Sequence, residues 1–509
     1  MANSTDIVVE EVGRRKYGVG RVLHRCFSFP TAIAAILFGK AFWTCHERIV
    51  DPDLGWHLRN GQYLLTQLRF PAIDSYSFTA AGSKWLDHSW LPEVLYYASY
   101  RFLGLQGVLV VFTAAVTALL LSVFWLSLKR AEDPLAAAVV TILGGLLAMV
   151  GFTPRAQNFG WLCFAAIFAI LLRFRDERRA SLWFVPIVFC VWINCHGSWP
   201  IGLAVFAIIL GSGWVRHDFG TLIAAPWTRS ERKQLTIIFG VSVASLFINP
   251  FGWRLVLYPF DLAFRQTVNV GLVEEWAAVN FNDSRGLFVL IALGGVFAAA
   301  LMQKRGWRID DVFLIALALV CGLKHIRFLV FAGIVLPPIF ASRLGRLSSY
   351  DPAHERRVLN GLVMATVIAI VVLRFPTNQQ LQLQIDQFFP SAAVQYLNAH
   401  PQQGNMFNQY EWGGYLEWKV PPLRTFIDSR TDIFEYKGVL QDYVAISAVD
   451  YSQELLDKYQ TAYVLYSAQS SLSYFLAKSP LWECVYRDKQ AVIFRRVRST
   501  GPPSNGSRC

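Results

Sequence analysis

The sequence predicts a polytopic α-helical membrane protein ending in a soluble α/β domain. Three observations carry this. Of the 509 residues, 54% are hydrophobic and only 16% charged, where a soluble chain has about a quarter charged. With a mean hydropathy of +0.37, so many apolar side chains cannot all be hidden in soluble cores. The basic residues fall in short clusters between apolar runs, the pattern of cytoplasmic loops. In the last quarter of the chain the long runs give way to short apolar strands and helical stretches, which suits a packed α/β layer.

Taken in order, eleven stretches approach the roughly twenty apolar residues a span needs. They are 27–46, 106–127, 134–152, 158–173, 181–196, 198–215, 234–250, 286–303, 310–323, 327–342 and 357–374. The first ends in Phe42-Trp43-Thr44-Cys45-His46. A signal peptide would end in a small-residue cleavage site, so this run is a retained span. With eleven spans, Arg14/Arg15/Lys16, Lys129/Arg130, Arg173/Arg175/Arg178/Arg179, Arg229/Arg232/Lys233, Lys304/Arg305/Arg308 and Arg343/Arg346/Arg356/Arg357 all fall on one side. The positive-inside rule then places the N-terminus in the cytoplasm and the C-terminus outside. The expected organisation is a cytoplasmic segment 1–26, a transmembrane domain 27–375, an outer domain 376–498 and a disordered tail 499–509, STGPPSNGSRC from Ser499 on.

The net charge of +12 does not point to nucleic acid. No basic face with interleaved aromatics and no nucleic-acid module signature is present. Walker, Rossmann, HExxH and GxSxG patterns are missing too, so chemistry on cytoplasmic nucleotides is unsupported. The eight cysteines form no CxxC pair and mostly sit in or beside apolar runs; they read as small buried hydrophobes.

Three segments then face outward: 47–105, 250–285 and the tail. In 47–105, Trp56, Leu58, Tyr63, Leu64 and Leu68 recur at near-helical spacing, as do Trp90, Val94, Leu95, Tyr97 and Phe102. Half-apolar helices with aromatic edges suit a membrane interface. Pro71-Ala72-Ile73-Asp74 and Ala81-Gly82-Ser83 supply turns between them. In the tail, Thr425–Ile427, Ala462–Tyr466 and Ala491–Phe494 read as strands, and Ser391–His400 and Tyr451–Lys458 as helices.

The first outer loop also carries most of the chemistry. Glu47–Gly61 holds Asp51, Asp53, His57 and Arg59. Two carboxylates one residue apart can hold a divalent cation, Mg or Mn, or set a proton acceptor beside a phosphate. They can equally be a solvated Asp-Pro-Asp turn before a helix starting at Leu54. Asp53 and His57 share a helix face at i, i+4, which suits a carboxylate–imidazole pair or a surface pair. Asp87-His88 lies between Trp85 and Trp90 and repeats the mixture. Three polar breaks between spans hold Arg155, His196, and Lys324 with Arg327. Ionisable groups at such depth are expensive and usually functional or paired; here they could hold a lipid-linked phosphate or sit among headgroups. Glu274-Glu275 could complete a metal site or be solvated.

One further feature is a resemblance. Asp51-Pro52-Asp53-Leu54-Gly55-Trp56-His57-Leu58-Arg59-Asn60-Gly61 with Trp85-Leu86-Asp87-His88-Ser89-Trp90-Leu91, and in the tail Asn408–Leu416 and Phe426–Arg430, resemble a group of uncharacterised bacterial membrane proteins of the GT-C glycosyltransferase type. Protein O-mannosyltransferases, lipid A aminoarabinose transferases and oligosaccharyltransferases share the plan of one span followed by a large outer loop with an acidic motif. The resemblance implies transfer from a polyprenyl-phosphate-linked sugar on the outer face of the bacterial inner membrane. It implies an essential loop carboxylate, either Asp51 or Asp53, acting as base or helping to bind a metal. It also implies phosphate-binding basic residues near outer span ends, for which Arg155 and Arg327 stand by position. The O-mannosyltransferases have their acidic pair adjacent; here Pro52 intervenes, so that branch lends no acceptor. The expected site is therefore Asp53, Asp51 and His57 for catalysis, with His88, Arg59, Arg155, His196, Lys324 and Arg327 on substrate. The residues also leave room for a flippase of a lipid-linked glycan or a non-catalytic scaffold. A flippase would place ionisable residues inside spans and repeat its spans in pairs, and neither pattern stands out.

Overall fold

The computed structural model describes residues 26–131, 133–302 and 306–497. The expectations for 1–25 and 499–509, and the charges of Arg14, Arg15, Lys16, Lys304 and Arg305, lie outside the described residues.

A helix occupies each of the eleven apolar runs, and further helices fill the loops between them. In order they are α1 (Phe29–Glu47), α2 (Leu54–Gln67), α3 (Trp90–Leu103), α4 (Leu105–Arg130), α5 (Pro134–Ala148), α6 (Gln157–Glu177), α7 (Phe184–Ile193), α8 (Trp199–Ser212), α9 (Arg229–Ser245), α10 (Trp253–Arg265), α11 (Thr267–Leu272), α12 (Ser284–Met302), α13 (Ile309–Lys324), α14 (Leu329–Ala341) and α15 (Arg357–Leu373). Among the described residues, three helices are long and apolar enough to cross a membrane unaided: Leu105–Arg130, Pro134–Gly151 and Gln157–Glu177. A fourth counts if Arg357–Leu373 and Asn378–Phe388, bent by 67°, form one broken span. The expected count of eleven spans is therefore not confirmed by helix length and composition. The turns at the polar breaks consume residues, and α7, with 10 residues, rises only about 15 Å, half the hydrocarbon thickness.

The helices pack through small residues as well as large ones. A Cβ on Gly333 would lie 2.3 Å from the Gly144 carbonyl oxygen, and one on Gly144 2.5 Å from that of Gly333. Only paired glycines let α5 and α14 approach backbone to backbone. Phe112, Phe164, Phe168, Trp192 and Phe331 fill the interior around that contact.

The tail forms a four-stranded sheet from β1 (Asn405–Asn408), β2 (Thr461–Ser467), β3 (Trp482–Arg487) and β4 (Ala491–Arg496), in the order β1-β2-β4-β3. β1 runs parallel to β2, and β4 antiparallel to both its neighbours. The expected strand at 425–427 is absent. Thr425 instead donates to the Tyr76 carbonyl at 3.1 Å and accepts from the Phe78 N–H at 3.0 Å, one bridge that ties the tail to the first loop. Arg430 reinforces it, pairing with Asp428 (2.6 Å) from the tail and Asp74 (2.9 Å) from the loop. The glycines of the Trp-Gly-Gly segment serve the same docking. A Cβ on Gly55 of α2 would sit 2.2 Å from the Gly414 carbonyl oxygen. Loop and tail therefore form one packed unit above the helix ends. Cys45, Cys163 and Cys195 are buried free thiols, as expected, whereas Cys26 is exposed and Cys484 is disulfide-bonded.

Candidate active site

Where the first loop, the segment 250–285 and the tail meet, they enclose a cavity of about 550 Å³. The acidic motif forms one wall. Pro52 turns the chain so that the Asp53 N–H donates to Asp51 Oδ1 at 2.8 Å, and α2 begins at Leu54 with Asp53 at its N-cap but making no side-chain capping bond. Both carboxylates converge on Arg155, in the break before α6. Arg155 Nε lies 2.8 and 2.7 Å from the two Asp51 oxygens and 3.0 Å from Asp53 Oδ2, and its Nη1 is 2.7 Å from Glu275 Oε1. Asp51 is 2% exposed and sits behind the wall; Asp53, at 17%, lines the cavity.

Burial opposes the Asp53 charge. Arg155, His57 and hydrogen bonds from Ser429 and Trp56 outweigh it and hold the carboxyl below its ordinary range. For Asp51, burial and the neighbouring Asp53 charge win over Arg155 and push the carboxyl up.

This arrangement corrects the metal expectation. A cation bound by Asp51 and Asp53 would have to occupy the place the Arg155 guanidinium fills. Glu275 joins the same cluster through Arg155 rather than through a metal. No group of three or more His, Cys, Asp or Glu side chains placed to hold a metal ion occurs among the described residues. The residues present do not fit a divalent cation.

His57 shares the Asp53 face of α2, yet its hydrogen-bond partner is elsewhere. Its Nδ1 lies 2.9 Å from Glu93 Oε1 on α3. Glu93 also accepts from Ser89 Oγ at 2.8 Å and from Asn60, and Asn60 donates to Asp87 Oδ2 at 2.7 Å. Burial, then the Glu93 charge, raise the Asp87 carboxyl well above its usual range. Glu93 escaped sequence reading because a lone Glu in Trp90-Leu91-Pro92-Glu93-Val94 has no periodic partner; the fold supplies it from 36 residues away.

Two imidazoles and a second arginine also line the cavity. His88 stacks on Tyr258 of α10 at 4.7 Å and meets His196 edge-on at 6.0 Å. Burial depresses His88 to about 4, which keeps it neutral. Arg327 lines the cavity with its guanidinium carbon 4.2 Å from the Trp276 ring centre. Among the described residues no carboxylate pairs with Arg327, in contrast to Arg155 and Arg430.

The tail closes the cavity with Tyr410, Glu411, Ser429 and Asp432, and Trp56 Nε1 donates to Ser429 Oγ at 3.0 Å. Burial pushes Asp432 up to about 7. Of the expected residues, Asp53, His57, His88, Arg155, His196 and Arg327 line one cavity. Arg59 does not; it bonds Gln62 at 3.1 Å and borders a separate cleft beside Tyr76 and Glu417. Lys324 is exposed at the end of α13 and lies outside the cavity lining.

Fold and site together define a class: a multi-helix membrane protein whose soluble domain and first loop jointly wall a polar cavity beside the helix ends. No family model matches the sequence, and no curated protein matches it. Solved structures do. An Archaeoglobus fulgidus oligosaccharyltransferase tethered to an acceptor peptide superposes with a TM-score of 0.55 at 10% identity, over 92% of this chain and 74% of that one. The same organism's oligosaccharyltransferase AglB, in complex with an inhibitory peptide and a dolichol-phosphate, gives 0.54 at 10%, over 92% and 75%. Apo ArnT from Cupriavidus metallidurans gives 0.53 at 14%, over 96% and 100%. The chain shares the fold of these structures.

Proposed function

We propose that this protein is a membrane glycosyltransferase that moves a sugar from a polyprenyl-phosphate donor to an acceptor hydroxyl. The site faces the outer, periplasmic side of a bacterial inner membrane, with the N-terminus in the cytoplasm. One observation carries the reading: Asp53 and Arg327, which no carboxylate pairs among the described residues, line the same cavity of about 550 Å³, an acid-base group and an anion-binding group in one space large enough for a sugar. The fold's occurrence in an enzyme solved with a dolichol-phosphate supports the donor class.

In the proposed reaction the acceptor oxygen attacks the anomeric carbon as the carbon–oxygen bond to phosphate breaks, and the configuration inverts. The acceptor proton passes to Asp53. A carboxylate held below its usual range is a weak base, which suits a late transfer once the sugar has oxocarbenium character. The bond's electrons leave on the phosphate, whose charge Arg327 stabilises; one such fixed donor is worth about 10²–10³-fold in rate. Neutral His88 and His196 can donate or accept toward sugar hydroxyls without adding charge. The tail wall, with Tyr410, Glu411 and Asp432, meets the acceptor.

The test is mass spectrometry of the polyprenyl-phosphate-sugar pool in cells carrying wild type or Asp53→Asn at equal protein levels. The reading expects one lipid-linked sugar to accumulate in the variant while a surface glycan disappears. An unchanged pool in both Asp53→Asn and the Asp51→Asn/Asp53→Asn double variant overturns it in favour of a flippase or scaffold.

A further inference from the structure

Arg59, which stands outside the main cavity, borders a cleft of about 510 Å³, a size that holds a small organic ligand. Its floor is half-buried or buried: Arg59, Gln62 and Tyr63 from α2, Tyr76 from the first loop, and Glu417 and Leu423 from the tail. Arg59, Gln62, Tyr63 and Thr66 stand three and four residues apart, so one side of α2 faces the cleft. A thin partition separates this space from the main cavity. Arg430, which lines the main cavity, lies 4.9 Å from the centre of the Tyr76 ring and 3.7 Å from Glu417. Trp85, also of the main cavity, meets Tyr76 edge-on at 5.8 Å.

The hydrogen-bonding groups of the cleft are largely unspent. Among the described residues the side chains of Tyr63, Gln67 and Ser75 make no hydrogen bond, and Gln62 uses only its carbonyl, on Arg59 at 3.1 Å. Glu417 is a second, independent sign. It is 2% exposed and its Oε1 accepts from Thr425 at 2.9 Å, yet its buried Oε2 has no hydrogen-bond partner. A buried polar atom left in that state is costly until a partner arrives. Burial, then the Asp428 charge, raise the Glu417 carboxyl well above its usual range, which favours the neutral form with an O–H to donate.

The lining also narrows the ligand. Arg59 is the one cation among the lining residues, and Leu423 and Pro421 are too little aliphatic surface for a lipid tail. None of the lining residues lies in a strand, so no sheet edge offers itself to an extended peptide. Amide, hydroxyl and guanidinium groups set around two tyrosine rings match a sugar, whose hydroxyls point outward from C–H faces that pack on an aromatic ring. We infer that the cleft is a second carbohydrate subsite, where Tyr63 packs on a sugar ring and Arg59, Gln62 and Glu417 bond its hydroxyls, holding units of a glycan remote from those that react in the main cavity. That the glycan is the acceptor's rests on the proposed transfer; the subsite itself does not.

The test uses the full chain in nanodiscs, titrated with maltotriose, mannotriose, chitotriose and trigalacturonate, each to about 10 mM, a range that reaches weak saccharide binding. Calorimetry reads the binding and hydrogen exchange locates it. At least one trisaccharide is expected to bind wild type and to slow exchange of the amides at 59–67 and 417–423. Tyr63→Ala and Gln62→Ala should each weaken that binding about fivefold to tenfold, the value of one ring contact or one neutral hydrogen bond, and Tyr63→Phe should keep most of it. Neither side chain is fully buried, so these variants should melt with the wild type. Arg327→Gln, in the main cavity, should leave the protection at 59–67 unchanged. Protection confined to the main cavity, lost in Arg327→Gln and indifferent to Tyr63→Ala, overturns the second subsite and leaves the transferase reading standing. No protection at 59–67 by any of the four trisaccharides overturns the carbohydrate occupant, and the lipid-linked sugar pool then decides the transfer on its own.

Discussion

Replacing Arg155 with Gln removes the one cation that three carboxylates share. Asp51, 2% exposed, then keeps only the Asp53 N–H as a donor, and its charge faces Asp53 with nothing between. Breaking a buried ion pair from one side costs about 3–5 kcal/mol. Water reaches Asp53 and Glu275, which are 17% and 26% exposed, so the lower end, about 3 kcal/mol, is the expected loss. The cost falls on the loop around the turn at Pro52, because the cluster joins that loop to α6 and to the segment holding Glu275. Hydrogen exchange of the 51–58 amides in the detergent-solubilised chain reads this local opening directly. Adding Asp51→Asn to Arg155→Gln removes the stranded charge and should recover about 2 kcal/mol, a coupling of the size contacting residues show. If Arg155→Gln exchanges within about 0.5 kcal/mol of wild type, or Asp51→Asn recovers nothing, the three carboxylates are not held by Arg155 and the account of the acidic motif fails.

Glu93→Leu leaves His57, Ser89 and Asn60 without their shared acceptor. It should cost about 3 kcal/mol of stability, and Glu93→Gln about half that; denaturant titration checks both, and equal, small effects would contradict the network. Asp432 titrates at about 7 in the fold, against an ordinary 3.8. A carboxyl raised by folding contributes stability that is complete below its unfolded pKa and lost as pH rises through the folded one. Between about pH 4 and about pH 7 the wild type should therefore lose stability relative to Asp432→Asn. Melting temperatures of both across that window decide it, and a constant gap would refute the buried carboxyl.

Much was written into the chain. Apolar runs are long-range and redundant, so α4, α5 and α6 stand close to where hydropathy puts them. The two half-apolar helices of the first loop were legible too, because Trp56 and Leu58, or Trp90 and Val94, repeat with the period of the structure they build. The strands at Thr461–Ser467 and Ala491–Arg496 followed from short β-branched and aromatic runs for the same reason. The sequence also marked Arg155 and Arg327, in polar breaks between apolar runs, as ionisable groups expensive where they stand.

Tertiary structure alone decided who pairs with whom. Asp51 and Asp53 read equally well as metal ligands or as a turn; Arg155, 104 residues away, makes them an ion cluster. Asp53 and His57 share a helix face, yet Glu93 takes the imidazole, because α3 packs across α2 at that level. Thr425–Ile427 has strand composition but spends its hydrogen bonds on the first loop. Glu93 and Asp432 had no local signature at all. Periodicity encodes which face of an element is apolar; partners in a polar cluster are set by where separate elements meet, and that spacing is not a property of any one stretch of sequence.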